Sequence, residues 1–234
     1  MDLKTAGPDY PDKHKLLSYL TEFITAERKQ KFLHAIALRT RYLTLVLEDI
    51  YQPHNASAVL RTCDCFGIQD VHIIENRNKY EVNPDVALGS AKWLSLFRYG
   101  GAASNTKECL LSLKDKGYTI VATSPHKDDH TPDDIPLDRK LALVFGTELM
   151  GLSDDALAMA DSFIRIPMFG FTESLNVSVS AAIFIHSLAH RIRSSGIDWC
   201  LTEPEKTDVL LSWTLNSIRK PDILLRDYFK KNSS

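Results

Sequence analysis

Asn55 and Arg61 stand six residues apart in Asn55-Ala-Ser-Ala-Val-Leu-Arg61, a helical segment that follows the turn Pro53-His-Asn55. An amide and a guanidinium can orient a hydroxyl or a phosphate. Plainer readings stay open: asparagine is a common helix cap, here expected at Asn55, and an arginine on a helix is usually solvated. Arg61 is flanked by Val59, Leu60 and Cys63, an apolar setting in which a guanidinium needs a partner. Glu148, in Gly146-Thr-Glu148, is the candidate partner. A second polar step is Ser174-Leu-Asn176, at the mouth of an apolar stretch that Ser174 is expected to open as a helix. Free N–H groups and a positive dipole end let such a mouth be capped, hold a ligand, or do both.

Two other constellations carry less. His126-Lys-Asp-Asp-His130 has metal-ligand residue types, but no third segment converges on it, so no metal site is expected. Ser124 with His126 lacks a third group to orient a nucleophile pair. Cys63, Cys65, Cys109 and Cys200 include no Cys-x-x-Cys pair and read as reduced structural thiols.

The elements that must position these residues alternate between strand and helix. Leu43-Thr-Leu-Val-Leu-Glu48 is a nearly continuous apolar run, as in a parallel strand covered on both faces. Further strands are expected at 71–75, 118–123, 141–145 and 163–166, with helices at 56–65, 107–116, from Ser153, and from Ser174 to about Arg193. Residues 76–104 read as irregular, 13–39 as one amphipathic helix, and 203–217 as a last helix before a basic tail. The fold class is therefore α/β, a mainly parallel sheet flanked by helices, with helical extensions at both ends. In such sheets ligands bind beyond the carboxyl ends of the strands. Thr123-Ser124, Gly146-Thr-Glu148 and Ile166-Pro-Met-Phe-Gly170 occupy such ends. No Gly-x-Gly-x-x-Gly or Gly-Lys-Ser/Thr phosphate loop follows them, so a nucleotide-like ligand would not be held by its phosphates.

The 234 residues are 44% hydrophobic and 25% charged, a soluble globular composition. The run around 177–189 is too short and too polar to span a bilayer, and the amino terminus has no apolar signal core, so a cytoplasmic protein is expected. The net charge of −2 divides unevenly: +3 over residues 1–42, −7 over 43–164 and +2 over 165–234. Basic ends on a neutral core suit either an ordinary helix surface or an RNA-binding arm.

Three segments carry a resemblance. Asn55-Ala-Ser-Ala-Val-Leu-Arg61, Leu143-Val-Phe-Gly-Thr-Glu-Leu-Met-Gly-Leu-Ser153 and Ile164-Arg-Ile-Pro-Met-Phe-Gly-Phe-Thr-Glu-Ser-Leu-Asn-Val-Ser-Val-Ser180 resemble, in order and spacing, motifs 1, 2 and 3 of the SpoU/TrmH branch of the SPOUT RNA ribose methyltransferases. The likeness covers residues 40 to 193. It implies a C-terminal deep trefoil knot, a homodimer, and S-adenosyl-L-methionine bound in the knot loops at Thr123, Gly146, Ile166, Met168 and Leu175. By the same likeness Arg61 is the catalytic residue, framed by Asn55, Glu148, Ser174 and Asn176. The implied activity is 2′-O-methylation of a tRNA guanosine, number 18 of the D-loop. The alternatives are a ribosomal RNA substrate or a non-catalytic RNA-binding protein on this scaffold. The expected organisation is a helical N-terminal arm (1–40) for RNA binding or dimer packing, a methyltransferase domain (41–195) and a basic helical extension (196–234). Arg28, Lys29, Lys31, Arg41, Arg191 and Arg193 are expected to meet RNA.

Overall fold

The computed structural model describes residues 10–232, apart from 82, 88, 103, 125, 126, 128, 148 and 149. Six strands form one parallel sheet: β1 (Leu43–Glu48), β2 (Asp70–Glu75), β3 (Ser95–Gly100), β4 (Tyr118–Thr123), β5 (Lys140–Phe145) and β6 (Ser162–Ile164). Their order is β3-β2-β1-β5-β4-β6. The helices are α1 (Lys13–Thr21), α2 (Ala26–Ile36), α3 (Pro53–Cys65), α4 (Pro84–Ala87), α5 (Asn105–Asp115), α6 (Asp154–Met159), α7 (Val177–Ser194), α8 (Glu203–Ser217) and α9 (Pro221–Asn232).

Successive strand residues point to opposite faces, so a strand with helices on both sides must be largely apolar. All six residues of β1 are buried; Leu43, Leu45, Val46 and Leu47 are apolar, and the two polar ones, Thr44 and Glu48, are hydrogen-bonded. Leu43, Leu45 and Leu47 share a core with Val59 and Leu60 of α3 and Phe184, Ile185 and Leu188 of α7. Val46, Ala142 and Val144 share the other core with Cys109, Leu110 and Leu113 of α5 and Ala156 of α6. Truncating one of these leucines to alanine costs about 2–5 kcal/mol.

The exit of β1 is tied to the exit of β2. Asp49 takes a left-handed φ of 54°, which aspartate tolerates better than most residues. Its Oδ1 accepts from the backbone N–H groups of Asn76 (2.8 Å), Arg77 (2.9 Å) and Asn78 (3.3 Å).

Several sequence expectations need correction. The N-terminal helix is two helices, because the chain breaks after Thr21 and restarts where Thr25 caps α2 through the Arg28 N–H. Residues 76–104 are not wholly irregular; they contain β3, an edge strand whose mixed Ser-Leu-Phe-Arg-Tyr-Gly sequence reflects partial exposure. α3 begins at Pro53, a residue preferred in the first helical turn, so Asn55 lies inside the helix and is not its cap. β6 ends at Ile164. The stretch after Ser217 is largely helical, as α9.

The chain divides into two compact units, the sheet unit Thr40–Trp199 and a helical unit whose described residues are 10–39 and 200–232. In the helical unit Leu16 and Leu20 of α1 pack with Leu211 of α8 and Tyr228 of α9. Phe32 of α2 lies 5.4 Å from the Trp213 ring, and Lys13 pairs with Asp208 at 2.9 Å. α1 and α2 therefore build one helical unit with α8 and α9. Among the described residues no helix is long and apolar enough to cross a membrane.

Candidate active site

The carboxyl ends of β4, β5 and β6 open onto a cavity of about 570 Å³. β4 brings Thr123, followed by Ser124. β5 brings Phe145 and the segment Gly146, Thr147, Met150, Gly151 and Leu152. β6 brings Ile164, and the chain beyond it adds Arg165, Ile166, Met168, Glu173, Ser174, Leu175 and Asn176. Val177, Ser180 and Phe184 of α7 complete the wall. Thr123, Gly146, Ile166, Met168 and Leu175, five residues from three distant segments, thus line one space.

Local chemistry shapes each wall. Thr123 donates its hydroxyl to the Val144 carbonyl at 2.9 Å, holding the ends of β4 and β5 together. After β5 the chain turns back on itself: the N–H groups of Thr147 and Gly151 each donate to the other's carbonyl at 3.0 Å. Gly151 takes a φ of 67°, favoured by glycine. Gly146 is required for another reason, since a Cβ there would collide with the Gly151 carbonyl and the Leu152 nitrogen. The third wall, residues 165–176, has no regular secondary structure.

Ser174 lines the cavity but does not cap α7. The cap is Asn176, whose Oδ1 accepts from the Ser178 N–H at 2.9 Å. Ser174 lies two residues before that cap, in the irregular stretch, with its side chain exposed. The Asn176 Nδ2 donates to Asn55 Oδ1 at 3.2 Å, which brings motif 1 to the cavity's edge. Asn55 is buried at 3% exposure and donates to Gln52 Oε1 at 3.1 Å.

Arg61 is exposed, contrary to the apolar setting expected for it. Leu60, Val59 and Cys63 adjoin it in sequence but turn inward, while its own position on α3 faces out. It is not among the cavity-lining residues. Glu148, its expected partner, lies outside the described residues, as does His126. Among the described residues no cluster of three His, Cys, Asp or Glu side chains is arranged to hold a metal ion.

The basic residues separate into two kinds. Arg28, Lys29 and Lys31 of α2 are exposed, with Lys31 paired to Glu27 at 2.6 Å. Arg41, Arg191 and Arg193 do internal work. Arg41 pairs with buried Asp70 at 3.0 Å. Arg191 donates to the carbonyls of Pro132 (2.7 Å) and Ile135 (2.9 Å). Arg193 donates to the Phe66 carbonyl at 2.8 Å and stacks over Trp199.

Sequence reasoning missed Arg165 and Glu173, the one cation and the one anion among the described lining residues. The available signal was a charge directly after a strand whose last residue, Ile164, is buried.

The volume suits a nucleoside-sized ligand. Aromatic and aliphatic walls at Phe145, Ile164, Ile166 and Phe184 suit a base, and the hydroxyls of Thr123, Ser124 and Thr147 suit a ribose. With one cation among the described lining residues, the space suits an adenosine carrying a short amino-acid tail better than a polyphosphate.

A model of the SpoU rRNA Methylase family matches residues 42–186. The chain is 46% identical over 202 residues to the tRNA (guanosine(18)-2′-O)-methyltransferase of Borreliella burgdorferi, covering 86% of this chain and 91% of that protein. It is 33% identical over 191 residues to the enzyme of the same description from Thermus thermophilus, covering 81% and 96%. The crystal structure of an A. aeolicus TrmH/SpoU tRNA modifying enzyme superposes with a TM-score of 0.73 at 28% identity, over 82% of this chain and 97% of that one. The chain described here belongs to the SpoU methylase family.

Proposed function

We propose that this protein is a cytoplasmic enzyme that methylates the ribose 2′-hydroxyl of a tRNA guanosine, number 18 of the D-loop, with S-adenosyl-L-methionine as donor. The observation that carries the reading is the meeting of motifs: Asn55 is hydrogen-bonded to Asn176 at the edge of the cavity that Thr123, Gly146, Ile166, Met168 and Leu175 line. The names of the relatives supply the substrate class.

When bound, S-adenosylmethionine supplies a methyl group already activated by its sulfonium. The chain has to hold the donor, bring the ribose hydroxyl in line with the methyl and let the hydroxyl proton leave. Thr123, Gly146, Ile166, Met168 and Leu175 hold the donor. Asn55, Ser174 and Asn176 frame the reacting end, and Glu148 is assigned to it by the resemblance alone. Arg61, exposed on α3, has a guanidinium available to a polyanion. Two roles suit it. Paired with an RNA phosphate it activates the hydroxyl, or it orients the ribose and stabilises the developing alkoxide while the proton passes to water. Arg28, Lys29 and Lys31 on α2 give the helical unit a cationic face for tRNA phosphates.

The same reading threads the C-terminal part of the sheet unit into a deep trefoil knot. Its support is the strand order: β6 lies beyond β4 at the sheet edge, yet α7 packs beside α3, with Phe184 6.0 Å from Phe145 of β5. The chain from 165 to 176 must therefore return across the ends of β4 and β5. A homodimer is supported by an apolar stripe on α7, where Val179 and Ile183 are exposed one turn apart, and by the exposed Phe169 and Phe171 before it.

The deciding experiment incubates the protein with S-adenosylmethionine and either unmodified tRNA or ribosomal RNA fragments, then maps methylated nucleosides by mass spectrometry. The expected product is 2′-O-methylguanosine at position 18 of tRNA. Absence of methyl incorporation into tRNA would overturn the reading, and incorporation into ribosomal RNA alone would replace the substrate.

A further inference from the structure

Glu48 closes β1 with 2% of its surface exposed, and nothing in the proposed reaction uses it. A buried carboxylate is expensive unless donors surround it. Here Oε1 accepts from Thr106 Oγ1 at 2.6 Å and from Ser153 Oγ at 2.7 Å, and Oε2 accepts from the Ser153 N–H at 2.9 Å. Ser153 is also the cap of α6, its Oγ accepting from the Ala156 N–H at 3.2 Å. One residue, 105 positions away in the chain, thus receives both polar groups that Ser153 can donate.

Ser153 is where the second wall of the cavity ends. That wall starts at Gly146, directly after Phe145, whose place is set by pairing with Leu47. It contributes Gly146, Thr147, Met150, Gly151 and Leu152 to the lining. β1 therefore fixes both ends of the segment, the entry through Leu47 and the exit through Glu48.

We propose that Glu48 is a positioning residue for the methyl donor: its carboxylate holds Ser153 so that Gly146, Thr147, Met150, Gly151 and Leu152 keep their places in the donor's wall. The inference rests on the reading of the cavity as a methyl-donor site. Glu48 accepts from three donors, so the neutral amide of glutamine would turn an NH2 toward an N–H or O–H and lose at least one bond.

The test is calorimetric titration of the full chain with S-adenosylhomocysteine and, separately, with tRNA, for wild type, Glu48→Gln, Ser153→Ala and the double variant. Glu48→Gln is expected to weaken S-adenosylhomocysteine about tenfold and Ser153→Ala about threefold, with tRNA affinity unchanged. The double variant should bind little more weakly than Glu48→Gln alone, since the two share the Glu48–Ser153 contact. A Glu48→Gln protein that melts cooperatively and binds S-adenosylhomocysteine within about twofold of wild type overturns the proposal, as do losses that multiply in the double variant. If Glu48→Gln does not fold, Ser153→Ala decides: an unchanged affinity overturns the proposal, and a loss confined to S-adenosylhomocysteine supports it. A wild type that does not bind S-adenosylhomocysteine contradicts the proposed function itself and takes this inference with it.

Discussion

Asn176 and Asn55, 121 positions apart, share a side-chain hydrogen bond of 3.2 Å that joins the first turns of α7 and α3. Asn176 also caps α7, its Oδ1 accepting from the Ser178 N–H (2.9 Å) and hydroxyl (2.6 Å). Asn176→Ala should lower stability by about 1 kcal/mol through the lost cap. In urea denaturation the combined loss for Asn55→Ala with Asn176→Ala should fall short of the sum of the singles, because the shared bond is removed once. Strict additivity would mean that the two amides do not support each other.

Arg61 is exposed, so its removal should leave the fold alone. Arg61→Ala is expected to change stability by no more than about 0.5 kcal/mol and to lower methyl transfer to tRNA by a hundredfold or more, about 2.7 kcal/mol at the barrier. Arg61→Lys should recover little, since an ammonium lacks the planar fork that grips a phosphate. Thermal melts beside single-turnover rates separate the two effects. An active Arg61→Ala protein would remove Arg61 from the site.

Gly146→Ala tests the cavity's second wall. The added methyl collides with the Gly151 carbonyl, and main chain can give way only by moving the 146–151 segment. Affinity for S-adenosylhomocysteine should fall by more than about tenfold. Gly151→Ala acts differently, through a φ of 67° with open space around the new methyl, and should cost about 1 kcal/mol of stability. Equal effects from both variants on ligand and stability would contradict this division.

His72 predicts a pH dependence. Burial, then the Lys116 charge, depress its pKa from 6.5 to about 3, and its ring stacks on Phe97 with centroids 4.8 Å apart. The neutral form is favoured in the folded state, so the unfolded chain binds the extra proton between pH 6.5 and about 3. The stability contributed by this residue is complete above pH 6.5 and is lost as pH falls, by up to about 1.4 kcal/mol per pH unit. Replacing His72 with Phe should flatten that part of the denaturation-against-pH curve. An unchanged slope would show that His72 titrates normally.

What the sequence made legible follows from how local each signal is. β1 is legible because a strand buried on both faces is nearly continuously apolar, and the parallel α/β class follows from the alternation of such runs. β3 escaped because an edge strand is half exposed and Ser95-Leu-Phe-Arg-Tyr-Gly has no continuous apolar run. Ser174 and Asn176 are both good caps, and only the backbone path shows that the helix starts after the second. The exposure of Arg61 is not legible from its apolar neighbours, because about 100° of rotation per residue separates it from buried Leu60. Propensity has nothing to say about the Asn55–Asn176 bond or the Glu48–Ser153 contact, which arise from strand order. The residues around the cavity were named from a resemblance, and their convergence is a matter of topology.

The strand order also sets a timetable. Leu43 lies beside Leu141, so β1 gains its second neighbour only after roughly a hundred more residues have left the ribosome. At about 5–20 residues per second that is a wait of about 5–20 seconds. Meanwhile one edge of a strand buried on both faces stands open, a hazard for association between nascent chains. β2 and β3 can join β1 during the wait, since they leave the ribosome before β5 and lie on the other side of β1. Pairings this far apart in the chain also slow folding after release, because a long loop must close before the contact forms. The half of the sheet unit that carries the cavity is therefore the half that matures last, and a chain arrested before residue 177 has a sheet but no finished cavity.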